Sequence, residues 1–107
     1  LINIKMPVKK HDYKSVKITP SKRDKKYKAV LTDKEGKTKT IHFGAKGMSD
    51  YTKHKDEKRK DRYLARHKKN EDWERPDTPG SLARWVLWNK KTFAEGVKDY
   101  KSKFKLK

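Results

Sequence analysis

Residues 27–44 read YKAVLTDKEGKTKTIHFG, and this stretch decides the fold. In its first arm, Tyr27, Ala29 and Leu31 alternate with the residues that lie between them, as in a strand. A charged turn that ends in Gly36 follows, and glycine readily adopts the positive φ that such turns require. Residues 37–43 then resume a strand pattern rich in Thr, Ile and Phe. The stretch predicts a β-hairpin that is closed by the break at Gly44.

A further short strand is predicted ahead of the hairpin. Val16 and Ile18 alternate with polar residues, and Pro20 ends the pattern because proline cannot donate to a strand ladder. The charged segment 21–26 then serves as a turn or linker. Residues 1–26 are therefore predicted to form a basic arm with one short strand.

The segment after the hairpin is predicted to be a helix over residues 51–69. Ser49 or Asp50 is a suitable N-cap, and neither proline nor glycine follows until Pro76. Residues 52–62 contain no apolar side chain, so this part cannot be buried on any face. Its docking contacts must come from the residues at its two ends, Tyr51, Tyr63 and Leu64.

Two more helices are predicted beyond a polar loop at residues 70–77. Thr78 and Pro79 are a cap and a first-turn proline, and helical spacing then relates Leu82, Trp85, Val86 and Asn89. The same spacing favours core packing for Trp85 and Trp88. The last helix is capped by Thr92, and its apolar residues near one face are Phe93, Val97, Tyr100 and Phe104. Gly96 is expected to weaken it by about 1 kcal/mol relative to alanine.

Strands followed by helices predict an α+β fold with basic, flexible ends. The expected division is a basic arm at residues 1–26, a small domain at 27–100 and a basic tail at 101–107. The chain begins at Leu1 and has Met6 shortly after. It is therefore expected to be processed or partial, or to include residues that precede its natural start.

The charge of the chain points to an anionic partner. Lys and Arg number 32 against 14 Asp and Glu, a net charge of +18 on 107 residues. Such an excess is most readily explained by a polyanion, which can be nucleic acid, an acidic protein surface or anionic lipid headgroups. The sequence has no cysteine, which excludes disulfides and thiolate zinc sites, and no apolar run approaches the ~20 residues of a membrane span.

The candidate contacts with a polyanion lie mostly in the charged helix. They are Lys46, Lys53, Lys55, Lys58, Arg59, Lys60, Arg62, Arg66, Lys68 and Lys69. Lys46 lies between two glycines ahead of a helix, where backbone amides around residues 49–51 could hold a phosphate. Trp73 is the candidate aromatic contact because it lies in a polar loop.

The histidines allow a remote alternative, a metal-dependent nuclease of the ββα type. His42 follows the hairpin turn, His54 lies on the next helix, and His11 and His67 complete the set. Asp50 with His54, and Tyr63 with His67, share helical faces, but the ligand pattern of such a nuclease is missing. We therefore predict no catalytic residue, no metal and no cofactor.

Two long segments carry a resemblance. Residues 42–73 read HFGAKGMSDYTKHKDEKRKDRYLARHKKNEDW, and residues 78–92 read TPGSLARWVLWNKKT. Both resemble a family of small basic proteins from large DNA viruses of algae and protists. The resemblance implies a viral origin and a location in the virion, or in the host cytoplasm or nucleus during infection. The family has no assigned site residues.

Charge and resemblance together predict a non-enzymatic structural virion protein, as a minor capsid or internal packaging component within a larger assembly. Its basic surface would bind acidic capsid-protein surfaces. The alternative prediction is a nucleic-acid-binding protein that condenses or regulates viral DNA.

Overall fold

A three-stranded antiparallel sheet begins the fold. The computed structural model describes residues 12–107. The strands are β1 (Tyr13–Pro20), β2 (Lys25–Asp33) and β3 (Thr38–Ala45), in the order β1-β2-β3. β2 and β3 form the predicted hairpin, in which Ala29 pairs with Ile41. His11 and the earlier part of the predicted arm lie outside the described residues.

Short helices follow the sheet, so the predicted α+β class is confirmed. They are α1 (Tyr51–His54), α2 (Glu57–His67), a 3-10 turn (Lys68–Asn70), α3 (Pro79–Leu82), a π turn (Ala83–Leu87) and α4 (Phe93–Lys103). Within residues 12–107, none of these helices is long and apolar enough to cross a membrane.

The prediction of one continuous helix over residues 51–69 is wrong. Asp50 caps α1 as predicted, but the chain turns at Lys55, whose φ of 54° is left-handed. Asp56 then caps α2, and its carboxylate accepts hydrogen bonds from the backbone N–H groups of Lys58 and Arg59. An aspartate that bonds the backbone locally competes with helix continuation, which is why one polar segment yields two helices.

The core lies between one face of the sheet and the helices that follow it. The sheet contributes Val16, Ala29, Leu31, Ile41 and Phe43, and the helical half contributes Leu82, Val86, Leu87, Tyr100 and Leu106. All of these side chains are buried.

The π turn decides which residues of its segment enter the core. The N–H of Trp88 bonds to the carbonyl of Ala83 at 3.0 Å, which spans one residue more than an α-helical bond. Leu87 is fully buried, whereas Trp85 and Trp88 are half-buried and pack against the edge of the core. Both tryptophans were predicted to pack in the core, and both pack against its edge instead of at its centre.

The expected arm and tail boundaries do not separate structural units within the described residues. β1 pairs with β2 along its length and buries Val16 in the core. At the other end, Leu106 is buried, and the carbonyl of Lys107 accepts a 3.0 Å bond from the N–H of Val16. The last residues therefore pack against the first described strand, because the apolar side chain of Leu106 completes the core.

Asp77 ties the loop before α3 to the sheet. Its buried carboxylate accepts hydrogen bonds from Tyr13 at 2.9 Å and from the guanidinium of Arg75 at 3.0 Å, and it lies 3.3 Å from the ammonium of Lys39. Burial would raise the pKa of Asp77, but these partners outweigh it and hold the pKa below its ordinary value. Burial and the bond to Asp77 raise the pKa of Tyr13 to about 12.

We expect Asp77→Asn to lower the free energy of unfolding by about 3 kcal/mol at pH 7, because an amide at this buried position cannot accept all the hydrogen bonds that the carboxylate accepts. A carboxyl whose pKa is depressed by folding stabilises the protein above its unfolded pKa and loses that contribution as pH falls through the folded pKa. The wild type should therefore lose stability below about pH 4, and the variant less steeply.

Urea unfolding from pH 2.5 to 7 measures this dependence. Asp61→Asn is the matched control, since Asp61 is exposed on α2 and should shift stability by no more than about 0.5 kcal/mol. An equal loss in both variants would contradict the role of Asp77.

Gly96 is required where α4 crosses the π turn. A side-chain Cβ at this position would overlap the carbonyl oxygen of Val86 and lie 3.0 Å from its carbonyl carbon. Helix propensity alone counts Gly96 as a weakness of α4. Its missing side chain is nevertheless what allows the two backbones to pack closely.

Helix propensity alone predicts that Gly96→Ala stabilises the protein by about 1 kcal/mol. We expect the opposite, a loss of about 1–3 kcal/mol, because the added methyl forces the two segments apart. Thermal unfolding followed by circular dichroism measures it. Ala94→Gly on the exposed side of α4 is the control and should cost about 1 kcal/mol from propensity alone. A stabilised Gly96→Ala would show that the contact is not tight.

Candidate functional site

A cleft of 430 Å³ lies where the end of the sheet, α2 and the π turn meet. One wall is α2, a second is the π turn with Trp88, and the third runs from the end of β3 to Asp50. This volume falls within the range of about 300–1,000 Å³ that is typical of sites for small organic molecules.

The α2 wall carries a row of three arginines. Arg59, Arg62 and Arg66 are spaced by three and four residues, so they lie on one face of the helix and line the cleft. All three are exposed, and none forms an ion pair with another described residue. We call these residues the arginine row. Its positive charge is therefore not neutralised by an ion pair within the described part of the chain.

A stack of aromatic rings holds α2 against the rest of the fold. The rings of Tyr63 and Trp88 are parallel within 1°, with centroids 4.1 Å apart. His67 stacks on Tyr63 at 4.2 Å. Burial in this stack raises the pKa of Tyr63 to about 12. Tyr63 thus stays a neutral phenol at physiological pH and adds no negative charge to the cleft.

One carboxylate lies in the cleft wall, and it is already neutralised. Asp50 is buried and accepts a 2.6 Å bond from the ammonium of Lys26, which is also largely buried. The other oxygen of Asp50 accepts the N–H of Thr52 at the start of α1. Because both oxygens are engaged by donors, Asp50 does not cancel the field of the arginine row.

Apart from Ser49, the remaining lining is apolar. Ala45, Met48, Ala83 and Leu87 face the cleft together with the ring of Trp88. Met48 is 65% exposed, the one large hydrophobic side chain among residues 12–107 that is so open to solvent. The cleft therefore combines a cationic wall with an apolar interior.

His54 packs against Trp88 from outside the cleft, with centroids 5.3 Å apart. Its Nδ1 accepts the N–H of Asp56 at 2.9 Å, so the ring is held as the neutral tautomer with its proton on Nε2. Burial, with a contribution from Arg59, lowers the pKa of His54 below its ordinary value. His54 therefore fixes the α1–α2 junction.

Residues 16–67 match the model of a family of unknown function (DUF5754). No curated protein and no solved structure matches the chain. The matched segment contains the sheet from Val16 onward, α1 and the whole of α2 with its arginine row, whereas the π turn lies outside it.

The ten predicted basic contacts fall into three groups. The arginine row lines the cleft. Three lysines are engaged elsewhere. The ammonium of Lys60 donates to the carbonyl of Asn89 at 2.8 Å, that of Lys55 donates to the carbonyl of Thr52 at 2.8 Å, and that of Lys46 lies 3.4 Å from the carbonyl of Arg23. The others are exposed on α1, on α2 and after α2, and they are Lys53, Lys58, Lys68 and Lys69.

The predicted phosphate cradle ahead of α1 has part of the expected backbone conformation. Gly44 and Gly47 have positive φ values, both 85°. The N–H groups of Thr52 and Lys53, just beyond the predicted amides, are bonded to the side chain and to the carbonyl of Asp50. Anion binding by the amides of residues 49–51 stays a prediction.

Trp73 packs within its loop and does not line the cleft. Its ring is half-buried, and the guanidinium of Arg84 lies over it at 5.3 Å. Its carbonyl accepts the indole N–H of Trp85 at 2.8 Å. Its contact with a partner stays a prediction.

The histidines have separate surroundings. His42 bonds to the hydroxyl of Ser21 at 2.7 Å, while His54 bonds to the backbone of Asp56. Over residues 12–107, no three His, Asp or Glu side chains gather in a way that could hold a metal ion. The predicted pairing of Tyr63 with His67 on one helical face is present as the ring stack.

Sequence reasoning missed the cleft and several of its residues. Lys26, Met48 and Asp50 reach it from different elements, and no local pattern connects them. A signal was available on α2, because Tyr63 lies between Arg62 and Arg66 at a spacing that places all three near one face.

We expect Tyr63→Ala to lower the free energy of unfolding by about 2–3 kcal/mol, because it removes a buried ring and its stack on Trp88. Leu64→Ala, at the half-buried neighbouring position, is the control and should cost about 1 kcal/mol or less. Urea unfolding measures both variants, and amide exchange should show α2 opening first in Tyr63→Ala. Equal losses would contradict the stack as the main attachment of α2.

Proposed function

We propose that this protein is a non-enzymatic nucleic-acid-binding protein whose interface is the cleft with its arginine row. The main support for this proposal is the arginine row, Arg59, Arg62 and Arg66, which forms no ion pair with another described residue and lies beside a largely apolar, aromatic-lined cavity. Arginine is the side chain best suited to phosphate, because its planar guanidinium presents several donors at once. A net charge of +18 gives such a ligand a strong long-range attraction.

The surroundings of the row extend the same surface. Exposed lysines lie on both sides of it along the chain, from Lys53 and Lys58 before it to Lys68 and Lys69 after it. A backbone of regularly spaced phosphates could contact these side chains in turn. Polar side chains at the two ends and apolar ones in the cleft are the combination that nucleic-acid interfaces use for backbone and base contacts.

The alternative partner is the acidic surface of another protein. Location in a virion is a separate prediction, made from the resemblance. The geometry favours nucleic acid, since a flat acidic surface does not use an apolar cavity of 430 Å³. The virion prediction concerns where the protein acts, and the stoichiometric presence of the chain in purified particles tests it.

Fluorescence anisotropy of labelled single-stranded and duplex 20-mers, from 50 to 300 mM salt, tests the proposal. The logarithm of affinity should fall steeply with the logarithm of salt, by about 0.7–0.9 for each phosphate contacted. Replacing the arginine row by glutamine should lower the single-strand slope by about 2 and weaken binding on the order of 100-fold at 0.1 M salt.

The matched control removes the same charge elsewhere. Lys14, Lys17 and Lys98 are exposed and do not line the cleft, so their replacement by glutamine should weaken binding far less. Equal effects of the two triple variants would show that the charge acts without a site. Failure of both DNA forms to bind at 50 mM salt would overturn the proposal and favour the acidic protein surface.

A further inference from the structure

We infer that the cleft accepts an unpaired nucleobase, so that the protein binds single-stranded nucleic acid by inserting a base beside the arginine row. This inference rests on the proposed function and adds what the cavity itself recognises. Phosphate contacts need only the outer face of α2, where the arginines are exposed. The apolar interior behind them needs a different group.

The distribution of charge across the cleft fits a nucleotide. The cationic groups that are free to bind lie on α2, whereas the opposite walls present Ala45, Met48 and Leu87. A nucleotide has the same division, with an anionic phosphate on one side and a flat, weakly polar base on the other. Free phosphate would leave the apolar walls uncovered.

The contacts that an inserted base would make are available without unfolding the site. The thioether of Met48 is exposed at the opening, and sulfur packs well against aromatic rings. Trp88 forms part of the lining, and its ring is fixed by the stack on Tyr63 and by His54 at 5.3 Å. The lining therefore offers a base a rigid indole and an adaptable thioether.

The polar groups of the cleft wall do not oppose the binding of a nucleotide. Asp50 is neutralised by Lys26 at 2.6 Å, so it does not repel the phosphate that enters with the base. Gly44 lies where a Cβ would come within 3.0 Å of Leu87 and 3.1 Å of Lys26, so its missing side chain lets these walls close together.

A base can enter the cleft only when it is not paired. In a duplex the bases are stacked inside and the phosphates face outward, so a double strand could contact the arginine row but not the apolar interior. Stacking of a base on an aromatic side chain is a sequence-tolerant contribution, because every base has a π face. The expected ligand is therefore a single strand of no fixed sequence.

A comparison of two strands of equal charge tests the inference. One is a labelled 12-mer of thymidine, and the other is a 12-mer with the same phosphates and abasic sites throughout. Fluorescence anisotropy should show about tenfold tighter binding of the thymidine strand by the wild-type protein. This ratio of affinities reports the base contact, because the phosphate contribution is common to both strands.

Ala45→Ile narrows the cleft without changing its charge and without adding an aromatic face on which a base could stack. Ala45 is exposed at the end of β3, where a β-branched residue is compatible with the strand. The ratio of affinities should fall close to one in this variant. Ala94→Ile, on the exposed side of α4 away from the cleft, is the matched control and should keep the wild-type ratio. Met48→Ala, at an exposed turn position, should lower the ratio several-fold even if Ala45→Ile does not fold.

The outcomes separate this inference from the proposed function. Tight, salt-dependent binding of both strands with equal affinity would overturn base insertion and leave nucleic-acid binding intact. Binding of neither strand would overturn the proposed function itself. A wild-type preference for thymidine that Ala45→Ile and Met48→Ala both retain would place the base contact outside the cleft and overturn the inference.

Discussion

The parallel stack of Tyr63 on Trp88, 4.1 Å between ring centroids, is the contact on which the cleft depends. Helix α2 has no fully buried residue, so it cannot be held by core packing in the usual way. The stack supplies apolar contact at one point, and Tyr51 supplies a second beyond the α1–α2 junction, where it is buried. Because the helix is attached by a few aromatic contacts, its charged face stays free of the core. The walls of the cleft exist only while this attachment holds.

Electrostatics divide the charged residues into two classes with different consequences. Asp77 and Asp50 are buried, and each is satisfied by several donors, which is the condition under which a carboxylate is tolerated in an interior. The arginine row has no such partners among the described residues, and it lies at the surface, where water solvates it. This surplus adds self-repulsion to a small fold, and an anionic ligand relieves it. Binding should therefore stabilise the protein, by an amount that grows with the logarithm of ligand concentration above the Kd.

Local sequence rules succeeded where local geometry decides the outcome. The alternation around Tyr27 and the turn at Gly36 produced the hairpin, and Thr92 caps α4 as expected. These rules failed where the backbone packs against a segment that is distant along the chain. Gly96 scores as a helix weakness, but the carbonyl of Val86 allows no Cβ there. A periodicity of 3.6 does not reveal the π turn and does not single out Leu87, which is nevertheless buried in the core.

The amino-acid sequence by itself determined the α+β class, the hairpin, the N-caps of α1, α3 and α4 and the large positive charge, because composition and short-range spacing are enough for these. Only the tertiary structure decided which basic residues form a site. The cleft draws on Lys26, the turn after β3, the arginine row and Trp88, which are far apart along the chain. They meet because a side-chain stack and a π turn set the position of α2 against the sheet. Such contacts depend on packing across the whole fold, which no local pattern encodes.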